Sequence, residues 1–333
     1  MNHRRSLLIA LGAGALANAL VNPLTSFAQQ PPAKPRRIGY LTLSSAESSA
    51  RYLVAFHAGM AALQWVDGRD YLIEARYADG VAQVVAKLAA ELVAQQPALI
   101  LTAGDGSLRA LLQHTRTIPL VVGIAQDPVG NGLVASLRRP GGNATGLTSL
   151  SVGLGSKRVQ LLKEALPRLT HIAVLYEPEN PGGVAEWKEI EGAAKHLKLR
   201  ATPHELRQPA DIAPAFKRGA AQGVQAWIIA QGGTQITHRK EIAERAIALK
   251  LPLMAANVES TEAGGLMSYG ASVSDNFRRA AGYVDKIFKG TNPGELPIQQ
   301  PVTFEMVVNL KTAKAIGITL PPIVMLQADR VIE

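Results

Sequence analysis

No cysteine occurs among the 333 residues. That absence excludes disulfide scaffolds, thiolate zinc or iron–sulfur ligation, cysteine nucleophiles and cysteine-linked lipid anchors together. Aromatic residues are scarce at 5%, and charged residues reach only 18%. The formal charge is +9 and the pI near 9.8, yet the 35 Lys and Arg are dispersed along the chain. No run is saturated with them and no aromatics interleave among them, so no nucleic-acid partner is expected. What is plentiful is apolar: 47% of residues, enough for a sizeable core. The length corresponds to about two domains at ~100–200 residues each.

Catalytic signatures are also missing. The seven histidines are His3, His57, His114, His171, His196, His204 and His238, and none pairs with another at metal-ligand spacing. Neither a G-x-S-x-G elbow, an H-E-x-x-H helix nor a phosphate-binding P-loop is present. No metal, cofactor or catalytic residue is therefore expected, and no enzyme activity.

The first thirty residues read as an address. Met1 to Arg5 is a short basic head, Leu7 to Leu20 an apolar run, and Ser26-Phe27-Ala28 sets small residues before a cleavage point at Gln29. This is the three-part pattern of a cleavable secretory signal, and its apolar run is too short to span a bilayer. Arg4-Arg5 leaves the general and twin-arginine routes both open. A periplasmic protein without a lipid anchor is expected. Gly12-Ala13-Gly14 mimics a dinucleotide fingerprint but has no strand before it.

After a Pro-rich spacer (residues 29–35), short apolar runs alternate with longer helical patterns, as in parallel α/β folds. Strands are predicted at Arg37–Leu43, Tyr71–Tyr77, Pro97–Ala103, Ile118–Ala125 and Ala144–Leu150. A second series follows at His171–Tyr176, Arg200–Glu205, Ala226–Ala230 and Pro252–Ala256. Two α/β sets imply two lobes. The tail, with a strand at Leu266–Tyr269, a helix at Asp275–Phe288 and a strand at Val302–Asn309, is too short for a third domain. The chain is expected to return and complete both lobes: residues 36–149 with 266–293 in one, 150–265 with 294–333 in the other. Hinge bending is placed near Leu150, Gly264 and Pro297.

Polar residues collect where the predicted strands end. Gly104-Asp105-Gly106-Ser107 opens a helix directly after ALILTA, where backbone N–H groups can hold a carboxylate or phosphate. A dinucleotide fingerprint would need a small residue where Arg109 stands, and the plainer reading is a tight turn with Ser107 as helix cap. Asp127 ends the next strand, either facing the cleft or capping the following helix. Tyr176 to Asn180, Gln231 to Thr234, and Asn257 end strands of the second series. They offer no nucleophile–base pair, which fits binding better than catalysis.

The run DPVGNGLVASLRRPGGNATGLTSLS (Asp127–Ser151), the stretch from Glu262 to Ile318 and the ending LPPIVMLQADRVIE resemble ABC-transporter substrate-binding proteins of the TrpX-like group. The resemblance spans about residues 36–333. It implies a type I periplasmic-binding (Venus-flytrap) fold: two doubly wound parallel-sheet lobes joined by a three-strand hinge, closing on one small molecule. It also implies a permease and its ATPase as partners. Studied members include binders of aromatic amino acids. Gly104-Asp105-Gly106 and Gln231-Gly232-Gly233 depart from the commoner Thr-Pro and Asp-Pro turns of the group. A monomeric receptor for an amino acid or related carboxylate is expected; a ligand-sensing subunit of a membrane receptor is the alternative, and an enzyme with an unrecognised site a more remote one. Candidate ligand contacts are Ser44, Ser45, Thr102, Gly104, Asp105, Gly106, Ser107 and Asp127 in the first lobe. Tyr176, Asn180, Gly232, Gly233, Asn257 and Tyr269 face them from the second lobe or hinge. The Gly104–Ser107 turn is expected to hold a carboxylate, Asp127 or Asp105 an amine, and Tyr176 or Tyr269 an aromatic group.

Overall fold

The computed structural model describes residues 34–149, 151–302 and 304–333. The expected signal peptide and most of the spacer lie outside the described residues, as does Leu150. The described chain begins with β1 (Arg36–Thr42), α1 (Ala46–Ala62), β2 (Tyr71–Tyr77), α2 (Val85–Ala94), β3 (Leu99–Ala103), α3 (Asp105–His114), β4 (Leu120–Ala125) and β5 (Ala144–Thr148). The five strands form one parallel sheet in the order β2-β1-β3-β4-β5. Alternation within β1 shows how the sheet is covered on both faces. Ile38 and Tyr40 join Tyr52, Phe56 and Phe277 on one side, while Leu41 joins Leu92, Leu108 and Leu111 on the other.

A second set follows: α4 (Ser151–Ala165), β6 (His171–Tyr176), α5 (Pro181–His196), β7 (Arg200–Glu205), α6 (Ile212–Ala221), β8 (Ala226–Ile229), α7 (Gly233–Thr237), α8 (Arg239–Ala248), β9 (Leu253–Ala255), α9 (Val258–Glu262) and β10 (Met267–Ala271). Then come α10 (Val273–Phe288), β11 (Phe304–Asn309), α11 (Leu310–Ile316), α12 (Pro322–Gln327) and β12 (Arg330–Ile332). The second sheet runs β12-β11-β10-β9-β8-β6-β7. It is mixed rather than wholly parallel, because β11 lies antiparallel to β10 and parallel to β12.

Two strand orders carry the functional consequence. Strands β2-β1-β3-β4-β5 and β7-β6-β8-β9-β10 repeat one doubly wound order, with the winding direction reversing between β1 and β3 and again between β6 and β8. At each reversal the loops leaving the carboxyl ends diverge and open a crevice.

The lobe boundaries differ from those expected. Residues 266–271 do not return to the first sheet, for β10 pairs with β9 and β11. Only α10 crosses back, packing on α1 and β4, with Phe277 stacked on Tyr52 at 5.4 Å. The following segment also stays with the first lobe: Leu137 O accepts from Ile298 N–H, Leu296 O accepts from Thr145 Oγ1, and Leu147 bridges to Gln299. The chain thus passes between the sheets three times, between Thr148 and Ser151, Ala271 and Val273, and Gln299 and Phe304. Gly264 and Pro297, expected at the hinge, sit inside a lobe. Gly264 closes the α9–β10 turn against Ala243 and Ile247, and Pro297 O accepts from Tyr283 Oη.

Candidate ligand-binding cleft

Between the lobes lies a cavity of about 530 Å³, within the usual range for small-molecule sites. Its wall comes from the diverging loops just named: Thr42 to Ser44 after β1, Ala103, Gly104, Gly106 and Ser107 after β3, Glu177, Glu179 and Asn180 after β6, and Gln231 to Gly233 after β8. The lobes are closed over it. Ser45 N–H donates to Thr237 Oγ1 (3.0 Å), Gln126 Nε2 to Gln231 O (3.2 Å) and Thr234 Oγ1 to Gly80 O (2.9 Å), each from one lobe to the other.

The α3 terminus is the most distinctive part of the first wall. Gly104 occupies the N-cap with φ of 86°, a conformation that suits glycine, and makes no side-chain cap. Ser107 is therefore not the cap; it is the third residue of the helix. The N–H groups of Gly106 and Ser107 belong to the first turn, which has no acceptor within the helix. Among the described residues Ser107 Oγ is buried without a hydrogen-bond partner, and so is Arg109 Nε two residues on; both residues line the cavity. Donors and the positive end of the helix dipole thus converge on the first wall.

Aspartates that the sequence suggested for a ligand amine are otherwise engaged. Asp105 is fully buried, and its carboxylate accepts from Gln126 N–H (3.0 Å), Asp127 N–H (3.0 Å) and Asn131 Nδ2 (2.8 Å). Burial pushes its pKa up against those donors. Asp127 Oδ1 accepts from Gly130 N–H (2.9 Å), closing a turn in a segment that contains no helix. Neither residue lines the cavity. Nor do Thr102, whose hydroxyl donates to Leu41 O inside the sheet, or Ser45, which caps α1. Tyr176 stacks on Trp187 in the second core and Tyr269 on Phe304, also away from the wall.

Eight of the candidates do meet there: Ser44, Gly104, Gly106, Ser107, Asn180, Gly232, Gly233 and Asn257. Asn180 and Asn257 double as N-caps of α5 and α9. Sequence reasoning missed Tyr40 and Tyr52, which supply the aromatic surface backed by Phe277, and Gln83, Gln126 and Glu177. Tyr40 and Tyr52 lie within a strand and a helix, where alternation and periodicity mark them only as core. Gln126 and Glu177 directly follow fully buried strands, a position that was legible as a strand end.

Glu177 stands out in the second wall. It is 4% exposed, and its Oε1 accepts from Thr234 N–H at 2.6 Å. Burial pushes its pKa up to about 7, opposed by the N–H groups at the start of α7. Behind the same wall, Arg158 donates to Glu186 (2.5 Å) and to Tyr269 O (2.8 Å), and Glu186 accepts from Gln231 N–H (3.0 Å). This buried pair joins the strand entering a lobe crossing to a residue of the wall. Among the described residues no histidine lines the cavity, and no group of three or more acidic or histidine side chains is placed to hold a metal ion.

Comparison with known proteins places this architecture. A crystal structure of a conserved domain protein from Vibrio cholerae superposes with a TM-score of 0.84 at 25% identity, covering 90% of this chain and all of that one. An ABC domain from Streptococcus pneumonia in complex with L-Trp gives 0.80 at 24% identity over 89% of this chain and all of that one, a likeness of fold. The tyrosine-binding protein of Clostridioides difficile is 22% identical over 284 residues, 85% of this chain and 81% of that protein. Residues 42–332 match the family described as ABC transporter substrate binding protein. With its two crevices facing one cavity and nearly its whole described length matched, the chain belongs to the ABC transporter substrate-binding protein family.

Proposed function

We propose that the chain is an exported receptor that captures a small carboxylate-bearing metabolite of the amino-acid class and delivers it to an ABC importer. The observation that carries this reading is the uncapped α3 terminus in the cavity wall, with Ser107 Oγ and Arg109 Nε buried and unpartnered beside it. A carboxylate satisfies all of these donors at once. Tyr40, Tyr52, Leu43, Ile124 and Val273 add an apolar and aromatic surface suited to a hydrophobic side chain. The tyrosine and L-Trp named for two relatives support the amino-acid class. Proteins of this family serve importers outside the cytoplasmic membrane, consistent with the N-terminal signal pattern. Among the described residues the wall holds no nucleophile–base pair, which supports binding without turnover.

A thermal-shift screen of the mature protein against amino acids and organic acids tests the reading. A ligand at a hundred times its Kd adds ~2.7 kcal/mol of stability. Stabilisation by sugars alone, with none from any carboxylate, overturns it. Export is checked separately: the periplasmic protein should begin at or near Gln29 by mass spectrometry, and an intact Met1 would refute cleavage.

A further inference from the structure

We propose that Glu177 receives the cationic end of the ligand, so that the cleft selects zwitterions over simple carboxylates. The inference rests on the reading of the first wall as a carboxylate site and adds what the opposite wall reads. Glu177 lines the cavity from the second lobe, and among the described residues its Oε2 is buried without a hydrogen-bond partner while Oε1 is held by Thr234 N–H. A buried carboxylate oxygen left unmet is costly, and an ammonium or similar donor relieves that cost.

Nearby acids are already used. Glu179, the other acid in the wall, is paired with Arg207 at 2.8 Å and its side chain is 57% exposed. Glu186, behind Gln231, is paired with Arg158. Asp105 is spent on donors of the neighbouring loop after β4, and Asp127 on a backbone donor of its own turn. Space also points to Glu177: a Cβ on Gly232 would fall 2.6 Å from its carboxyl carbon, so the absence of a side chain there lets the carboxylate occupy the wall. With donors on the first lobe and an acceptor on the second, a ligand carrying both charges bridges the lobes. Neither charge alone does so. Binding is thereby coupled to closure.

The test titrates the mature protein by calorimetry with L-tryptophan, L-phenylalanine and L-leucine, each beside the acid lacking its amino group: indolepropionate, phenylpropionate and methylpentanoate. At least one amino acid should bind about thirtyfold or more tighter than its counterpart, as expected for a buried charged hydrogen bond. In Glu177→Gln, which keeps an oxygen for Thr234 N–H, that gap should shrink to about threefold or less while the simple acid binds much as before. Simple acids that bind as tightly as the amino acids to the parent protein overturn the zwitterion assignment and leave the carboxylate site standing. A gap that survives Glu177→Gln places the amine elsewhere and overturns the role of Glu177. No binding by either series overturns the amino-acid reading itself, and this inference with it.

Discussion

At the scale of single residues, two carboxylates in similar surroundings do opposite work. Asp105 meets three donors and ties the start of α3 to the end of β4. Asp105→Ala strands those donors in the interior and should lower stability by about 3 kcal/mol or more in urea unfolding. Asp127→Ala loses one exposed turn hydrogen bond and should cost only about 1 kcal/mol, with ligand affinity nearly unchanged. Glu177 carries a cost instead of a gain. Its folded pKa is raised from 4.5 to about 7, so the folded state favours the protonated form. The sign follows: below 4.5 the group is neutral folded or unfolded, and stability falls as pH rises towards 7. The deficit is complete above that point, at up to about 3 kcal/mol. Glu177→Gln should therefore melt higher than the parent without ligand at neutral and alkaline pH, with the difference vanishing in acid. A constant difference across the pH series would show that the carboxyl is not buried in this way.

Among elements, helix α4 shows how packing overrides a weak local pattern. Its opening, SVGLGS, carries two glycines and little amphipathic signal, and the sequence alone did not mark the helix. Val159, Leu161, Leu162 and Ala165 nonetheless bury against the second sheet, and Arg158 reaches Glu186 on α5. Both partners of that pair are essentially inaccessible, at 1% and 0% side-chain exposure. Arg158→Met alone should destabilise by roughly 3–5 kcal/mol, because Glu186 is left charged and buried. Replacing both residues by Met should recover most of the loss in denaturant titration, yet weaken ligand binding, since Gln231 and Tyr269 lose their common tether.

Closure belongs to the whole molecule. Two glycines permit the lobes to meet. A Cβ on Gly182 of α5 would fall 2.4 Å from Gln126 Cβ, and one on Gly233 of α7 2.5 Å from Leu43 Cβ, both across the cleft. Gly182→Ala and Gly233→Ala should prop the cleft open. Small-angle scattering should then show a larger radius of gyration with ligand present, and affinity should fall by about tenfold or more as the closed population drops. Thermal unfolding without ligand should change little. Arg51 acts in the opposite sense, pairing from α1 with Glu259 and Glu262 of α9 at 3.1 Å each; Arg51→Ala should shift the balance towards opening.

What the sequence determined by itself is local or repetitive. Central parallel strands such as LVVGIA and HIAVLY are buried, continuous apolar runs, and their regular alternation with helical patterns made even the mixed edge strands β2 and β7 legible, and with them two lobes and the crevice-forming loops. The absence of cysteine excludes thiol chemistry whatever the fold. Only the tertiary structure decided which sheet received β10 and which lobe kept Pro293–Gln299, because one apolar strand fits either sheet and long-range pairing settles it. It also decided which polar strand-end residues face the cavity. Asp105 and Glu177 both follow buried strands, but one turns onto the neighbouring loop after β4 and the other lies in the wall between the lobes. That choice depends on which N–H groups lie within about 3 Å of each carboxylate once the chain is packed, a property of the fold that no spacing in the sequence encodes.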